Sequence, residues 1–357
     1  MGNRIRVGII GSGGWARYGH IPALQALDGF EIFALAGRDL DKVQGYAKQF
    51  NIPHAFGSAD ELMAQPEIDL VVVLVPTPHH GRLAKAAIAA GKDVYTEWPL
   101  STTTAESEEI LALAKAKGVK HVIGLQRRFS PGNRYWRDLV QQGYVGEIRS
   151  VRMSVGVDAF GAVMPEAVKW VLDPANFTHL LPIYGGHFHD VLFHAVGFPE
   201  TLTAMMERQL PVTTIAETGE KVPSAGADQV MIMGKLAGGA LFTVQLEGGQ
   251  VNRTGLQIEI TGSKGVLRIT NPRGFQNPQD NAVSAMSDDS GTFKSLPTPV
   301  EYMPLPVAHL DASTQDVAYL YAAYAHDKAT GSSQAPSFED AVRQHRLIDE
   351  MLPPTPK

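Results

Sequence analysis

The sequence predicts an α/β protein in two parts: a parallel-sheet, dinucleotide-binding half followed by an α+β half whose sheet is mostly antiparallel. Three observations predict it. Short apolar runs alternate with amphipathic helical segments over the first third of the chain. The first of those runs opens directly into Gly11-Ser12-Gly13-Gly14-Trp15-Ala16. Beyond about Leu125, strand-like stretches follow one another without helices between them. A chain of 357 residues suits two domains, and we place the boundary near residue 125, giving 1–125 and 126–357.

In the first part, Ile5–Ile10, Glu31–Ala36, Leu70–Val75, Asp93–Thr96 and Val119–Ile123 read as strands. Ile21–Leu27, Leu40–Phe50, Leu83–Ala90 and Ala105–Lys117 read as the helices between them. Leu70–Val75 is apolar at every position, as a strand covered on both faces should be. Pro131–Gln142 reads as one more helix, stopped by Gly143. The strands of the second part are Glu147–Val155, Gln229–Lys235, Ala240–Leu246, Leu256–Thr261 and Val266–Thr270, the last two joined through a Gly262…Gly265 turn. Residues 271–306, rich in Pro, Asn, Asp and Ser, read as a long loop or flap. Two helices, Thr314–Lys328 and Phe338–Met351, close the chain.

Composition narrows the function. Hydrophobic residues make up 44% and charged residues 19%, a folded rather than a disordered chain. Lys+Arg is 31 against 37 Asp+Glu, a net charge of −6, which argues against a nucleic-acid surface built on bulk charge. With no cysteine there are no disulfides, thiolate zinc sites, iron–sulfur clusters or cysteine nucleophiles. No apolar run approaches the roughly 18–20 residues of a membrane span. The expectation is a cytoplasmic protein that binds neither membrane nor, directly, nucleic acid.

The glycine run is G-x-G-x-x-A. Gly11 allows a tight turn, Gly13 lets backbone approach a pyrophosphate, and the small Ala16 lets the helix pack on the strand. Free N–H groups at the helix start, from Gly14 onward, then hold the anion. Trp15 is placed to cover the pyrophosphate or to pack locally. The ribose-reading position falls at the end of the second strand, where Gly37 and Arg38 replace the usual acidic residue. An arginine pairs with a 2′-phosphate and stacks on adenine, so NADP is favoured over NAD; the alternative is that Asp39 reaches back to the ribose.

Pro76-Thr77-Pro78-His79-His80 and Glu97-Trp98-Pro99 follow later strands, at the carboxyl ends where open α/β sheets bind ligands. They add Thr77, His79, Glu97 and Trp98 to the cofactor candidates, with His79 and His80 also fitting as helix caps. Arg127 and Arg128 fit either the nicotinamide, an anionic substrate or a structural salt bridge. Further on, His187, Asp190 and His194 share one helix face at i, i+3 and i+7. His187 is the acid/base candidate, with Tyr184 and Asp190 beside it. His189 projects elsewhere, so these histidines are not read as a metal site.

Together these motifs resemble the Gfo/Idh/MocA family of sugar-type oxidoreductases. The resemblance runs through the glycine loop, Thr77-Pro78, Ala90-Gly91-Lys92-Asp93-Val94, Glu97-x-Pro99, Arg127-Arg128-Phe129-Ser130-Pro131 with Gly146-Glu147-Ile148, and the Gly262…Gly265 turn. It implies a Rossmann domain, a second domain with a large open sheet that mediates a homo-oligomer, and a small sugar-like ligand. Two departures stand out. The family's Glu-Lys-Pro is Glu97-Trp98-Pro99 here, and an indole has no proton to give near neutrality. The family's Asp-x-Gly-x-His-x-x-Asp keeps His187 and Asp190 but has Ile183 first. One branch, which includes a fungal galactose-pathway repressor, also carries Glu-Trp-Pro. The resemblance therefore implies either an oxidoreductase with altered chemistry or a cofactor-dependent regulator that works through a protein partner.

Overall fold

The computed structural model describes residues 4–274, 278–287 and 291–352. The chain forms two compact units. One takes the chain up to Gln126 together with Leu305–His345, and the other takes Arg127–Pro304 and the chain beyond His345.

The first unit is built on six parallel strands: β1 (Ile5–Ile10), β2 (Phe30–Ala36), β3 (His54–Phe56), β4 (Leu70–Val73), β5 (Asp93–Glu97) and β6 (His121–Gly124). Their order is 3-2-1-4-5-6, the doubly wound arrangement whose direction of progression reverses between β1 and β4. Val71, Val72 and Val73 are fully buried, as a strand covered on both faces requires. The strand ends at Val73 rather than Val75. Leu74 still donates to the Ile10 carbonyl, but Pro76 has no N–H with which to carry the ladder on. The edge strand β3 escapes the sequence pattern because it has three residues and none is buried.

The sequence assigned all of 126–357 to one domain, whereas Leu305–His345 lies in the first unit. The helix Ala312–Thr330 explains why. Its Tyr321 ring lies 5.6 Å from Phe30 and 5.3 Å from Tyr95, and is fully buried. Asp93, at the start of β5, accepts from the Tyr324 hydroxyl at 2.7 Å, from Lys328 Nζ at 2.6 Å and from the Lys120 N–H at 2.9 Å.

The second unit carries β7 (Ile148–Gly156), β8 (Val163–Met164), β9 (Pro199–Glu207), β10 (Val212–Ile215), β11 (Lys221–Pro223), β12 (Gln229–Leu236), β13 (Leu241–Glu247), β14 (Gly255–Gly262), β15 (Val266–Asn271), β16 (Ala282–Met286) and β17 (Lys294–Ser295). Eight of them form one sheet in the order 17-16-15-14-7-13-12-9. Only the β7–β13 neighbours in it run parallel. The small sheet 11-10-8 stands apart. The stretch expected to be a loop, 271–306, contributes β16 and β17 to the sheet edge; within it, 275–277 and 288–290 lie outside the described residues. Alternation sets the sheet's two faces. Val230, Ile232, Phe242 and Val244 are buried, and Phe242 meets Phe193 of the helix Gly186–Val196 edge-on at 5.4 Å. Met205, Met231, Met233 and Leu241 face outward, each more than half exposed.

Candidate functional site

The glycine loop begins where β1 stops. Gly11 N–H donates to the Ala36 carbonyl at 2.9 Å, with φ at +110°, a region that favours glycine. A Cβ there would stand 2.3 Å from the Leu74 carbonyl oxygen, so side chains are excluded twice over. A Cβ at Gly13 would meet nothing within 4 Å, so the backbone there faces open space. Past the loop the chain makes a π turn, Ala16–His20, before the α-helix Ile21–Gln25. Trp15 packs within this segment, edge-on to Tyr18 at 4.9 Å and to His20 at 5.4 Å.

A cavity of about 470 Å³ opens beside the loop, within the range of small-ligand sites. Gly11, Gly13, Gly37, Arg38 and His79 line it, together with Lys42, Ser58 and Arg82, which the sequence reading did not single out. Lys42 carried a signal, since it sits in the first turn of the helix after the ribose-reading position. Gly14, Trp15, Ala16, Thr77, Glu97, Trp98 and Arg127 are not among this cavity's lining residues. Asp39 is the N-cap of the helix Leu40–Gln49, its carboxylate accepting the Lys42 N–H at 3.1 Å. That bond engages one of the two Asp39 carboxylate oxygens, Oδ1.

At the tip of β5, Glu97 belongs to a buried network no sequence motif announced. Its Oε1 accepts from the Tyr95 hydroxyl at 2.8 Å and lies 3.1 Å from His20 Nε2. His20 Nδ1 is 2.7 Å from the Tyr321 hydroxyl. Burial and the nearby Glu97 carboxylate push both tyrosine hydroxyls well above their usual pKa. Gly124 makes room for this carboxylate, since a Cβ there would approach it to 2.6 Å. Trp98 is only 5% exposed, its ring 4.9 Å from His345. Thr77 is buried as well. His79 is the N-cap of the helix His80–Ala89 but makes no side-chain cap bond, and the helix itself starts at His80. The His80 ring links two turns, with Nδ1 2.7 Å from the Pro99 carbonyl and Nε2 2.6 Å from that of Val75. Burial lowers its pKa.

In the second unit, Arg128 grips Asp190 through both carboxylate oxygens, with both residues buried. Asp190 is thus a partner in an ion pair. Arg127 lies over the Phe188 ring at 5.1 Å and is itself buried. The two arginines therefore brace the helix that carries His187, which is 4% exposed. That helix is entered through a second π turn, Leu181–Gly185, holding Ile183 and Tyr184. π turns of this kind are frequent at functional sites. Ile183 packs on the apolar cluster of Met164, Val171, Leu172 and Ile215. Tyr184 meets Phe160 edge-on at 6.0 Å. His189 is fully buried, and neither ring nitrogen has a hydrogen-bond partner among the described residues. Burial pushes its pKa down to about 3. Among the described residues no group of three or more His, Asp or Glu is arranged to hold a metal ion.

Comparison with known proteins bears directly on this geometry. Residues 5–125 match the oxidoreductase family with an NAD-binding Rossmann fold, GFO_IDH_MocA, and residues 131–271 match the C-terminal domain of Gal80p. Residues 5–125 carry the NAD-binding Rossmann domain of the Gfo/Idh/MocA oxidoreductase family. Among the chain's relatives is the dehydrogenase aclE of Aspergillus oryzae, 30% identical over 61% of this chain and 62% of its own. The galactose/lactose metabolism regulatory protein GAL80 of Saccharomyces cerevisiae is 26% identical over 76% of this chain and 68% of its own. The chain thus matches a little under two thirds of the length of that first relative. Levoglucosan dehydrogenase, solved in complex with NADH and levoglucosan, superposes with a TM-score of 0.85 over 98% of this chain and 95% of its own, at 22% identity. The chain therefore pairs an NAD-binding Rossmann domain with a Gal80p-like sheet domain. No helix among its described residues is long and apolar enough to cross a membrane.

Proposed function

We propose that the protein binds NADP in preference to NAD and acts on a small sugar-like carbonyl or hydroxyl compound with altered proton handling. The observation that carries the reading is the cavity beside β1, where Gly11, Gly13, Arg38 and His79 converge. Gly13 presents bare backbone to open space, which fits a pyrophosphate. Arg38 takes the 2′-phosphate and stacks on adenine, a role supported by its place in the cavity lining. Gly14, Trp15, Ala16, Thr77, Glu97, Trp98 and Arg127 complete the proposed cofactor set.

A bound nicotinamide supplies the hydride acceptor for a substrate carbinol carbon. The substrate hydroxyl must then lose a proton, and His187, with Tyr184 beside it, is the group assigned to take it. Asp190 acts by holding the helix through Arg128. Glu97 stays in its hydrogen-bonded network, and Trp98 fills space where relatives place an amine. A second reading, a dinucleotide-dependent regulator with a protein partner, is favoured by Trp98 and by the apolar packing of Ile183. GAL80 among the relatives supports it as well. A homo-oligomer through the open sheet and a cytoplasmic location belong to both readings.

Calorimetric titration with NADP, NADPH, NAD and NADH tests the cofactor, and the phosphorylated pair should bind tighter. A screen of sugars, sugar acids and polyols at the nicotinamide absorbance band then separates the readings. Turnover with any of them supports the enzyme. Tight cofactor binding with no turnover across the screen supports the regulator, and binding of none of the four dinucleotides overturns both.

A further inference from the structure

We infer that Asn281 and Asp280, from the stretch 271–306, are positioning residues for the nicotinamide end of the cofactor: through buried hydrogen bonds they fix the turn that carries Arg127. This rests on the reading above that puts Arg127 in the cofactor set, and it gives a task to a stretch which that reading leaves unused.

A chain of amides carries the argument. Asn281 Nδ2 donates to Asn133 Oδ1 at 2.8 Å, and Asn133 Nδ2 donates to the Arg127 carbonyl at 2.7 Å. All three residues are buried. Asn133 must accept from one neighbour and donate to the other, so its amide has a single orientation that satisfies both. Buried polar groups linked in this way specify one geometry, because a half-made chain is costly. Arg127 in turn lies over Phe188, on the helix that carries His187. Along the chain it follows β6, at the end of the sheet away from the ribose-reading strand β2. A dinucleotide with its adenosine over β2 turns its nicotinamide towards that end.

Asp280 secures the helix that follows Arg127. That helix, Pro131–Gln141, has Ser130 at its N-cap with no side-chain cap bond, and Pro131 has no N–H. Asp280 supplies the acceptor, taking the Gly132 N–H through Oδ2 and the Asn281 N–H through Oδ1, each at 2.7 Å. The close approach requires glycine at 132, since a Cβ there would stand 2.5 Å from the Asn281 carbonyl oxygen. Burial pushes the Asp280 carboxyl up, against the pull of its two N–H donors and of the Arg127 and Arg134 charges. The same stretch is clasped to this helix a second time further on. There the Tyr302 hydroxyl donates to Asp138 Oδ2 at 2.9 Å, and its ring lies 5.4 Å from that of Tyr135.

The test titrates the whole protein calorimetrically with NADPH and with 2′-phospho-ADP-ribose, the same molecule without its nicotinamide, and records denaturant midpoints alongside. Asn281→Ala should weaken NADPH about five- to tenfold and the nicotinamide-free probe less than about twofold. In an Arg127→Ala background the same change should add less than about twofold for either probe, while the denaturant midpoint falls by a similar amount in both backgrounds. Asp280→Ala should behave like Asn281→Ala, and Asp280→Asn, which keeps an acceptor, should fall between it and wild type. Asn281→Ser is the milder truncation and carries the same expectation if Asn281→Ala does not fold. Equal weakening of both probes, or additive losses in the double variant, makes the stretch merely structural and overturns the inference. Unchanged NADPH affinity in the Asn281 and Asp280 variants also overturns it and leaves the dinucleotide reading standing. Full NADPH affinity in Arg127→Ala removes Arg127 from the cofactor set and the inference with it. Binding of neither probe by the wild type overturns the dinucleotide reading itself.

Discussion

Trp98 and Ile183 are each held by packing suited to an apolar side chain. The Trp98 indole lies against His345, and Ile183 sits on an apolar cluster. A lysine at 98 and an aspartate at 183 would leave an ammonium in a nearly closed site and a carboxylate against hydrocarbon, both costly without further changes. His189 and His345 give this packing a pH signature. Burial lowers both to about 3 in the folded protein, against an ordinary value of 6.5. Below pH 6.5 the unfolded chain takes up a proton that the folded chain refuses, so stability falls with acid from there towards pH 3. The steepest contribution is about 1.4 kcal/mol per pH unit for each histidine. His189→Leu should keep its stability at pH 7, since it removes two unpaired ring nitrogens, and lose less than wild type between pH 6 and 5. Urea melts at those three pH values check this, and a collapse of the variant at pH 7 would count against it.

The element that most changes the reading of the chain is the helix Ala312–Thr330, anchored on Asp93. Its anchors are unequal. Tyr324 is buried and loses one hydrogen bond in Tyr324→Phe, about 1 kcal/mol. Lys328 is 38% exposed, so Lys328→Ala should cost between about 0 and 1 kcal/mol. Asp93→Ala orphans a buried hydroxyl and the Lys120 N–H together and should cost the most, on the order of 3 kcal/mol. Denaturant midpoints should fall least in Lys328→Ala, more in Tyr324→Phe and most in Asp93→Ala, and a Lys328→Ala loss equal to that of Asp93→Ala would refute the ranking.

The helix itself was legible as Thr314–Lys328, but its destination was not, because periodicity marks a buried face without saying what buries it. The glycine loop and the strands β1, β2 and β4 were legible because their runs are largely apolar and well punctuated. The strand β9 was not. It lies at the end of the sheet, and most of its residues stay at least partly exposed. The π turns at Ala16–His20 and Leu181–Gly185 escaped because residue spacing does not separate a widened turn from an ordinary one. The His20–Glu97–Tyr321 network joins residues hundreds of positions apart, which no local motif can signal.

Across the molecule, the eight-stranded sheet turns a methionine-rich face outward. Met231 pairs with Met205 across β12 and β9, and Met233 and Leu241 lie nearby. Flexible, polarisable side chains on an open sheet suit a contact surface. Met231→Lys with Met205→Lys should shift the mass measured by light scattering towards the monomer and leave dinucleotide affinity unchanged. A wild-type protein already monomeric at high concentration would remove the oligomer from the proposal.

The route of the backbone has a practical consequence. Because Leu305–His345 packs with the first unit, a gene cut after Gln126 would encode a nucleotide-binding sheet stripped of Tyr321, Tyr324 and the ring that covers Trp98. Anyone seeking a minimal cofactor-binding fragment should instead keep Leu305–His345 together with the chain up to Gln126, because the host sheet is finished by residues that the gene encodes far downstream.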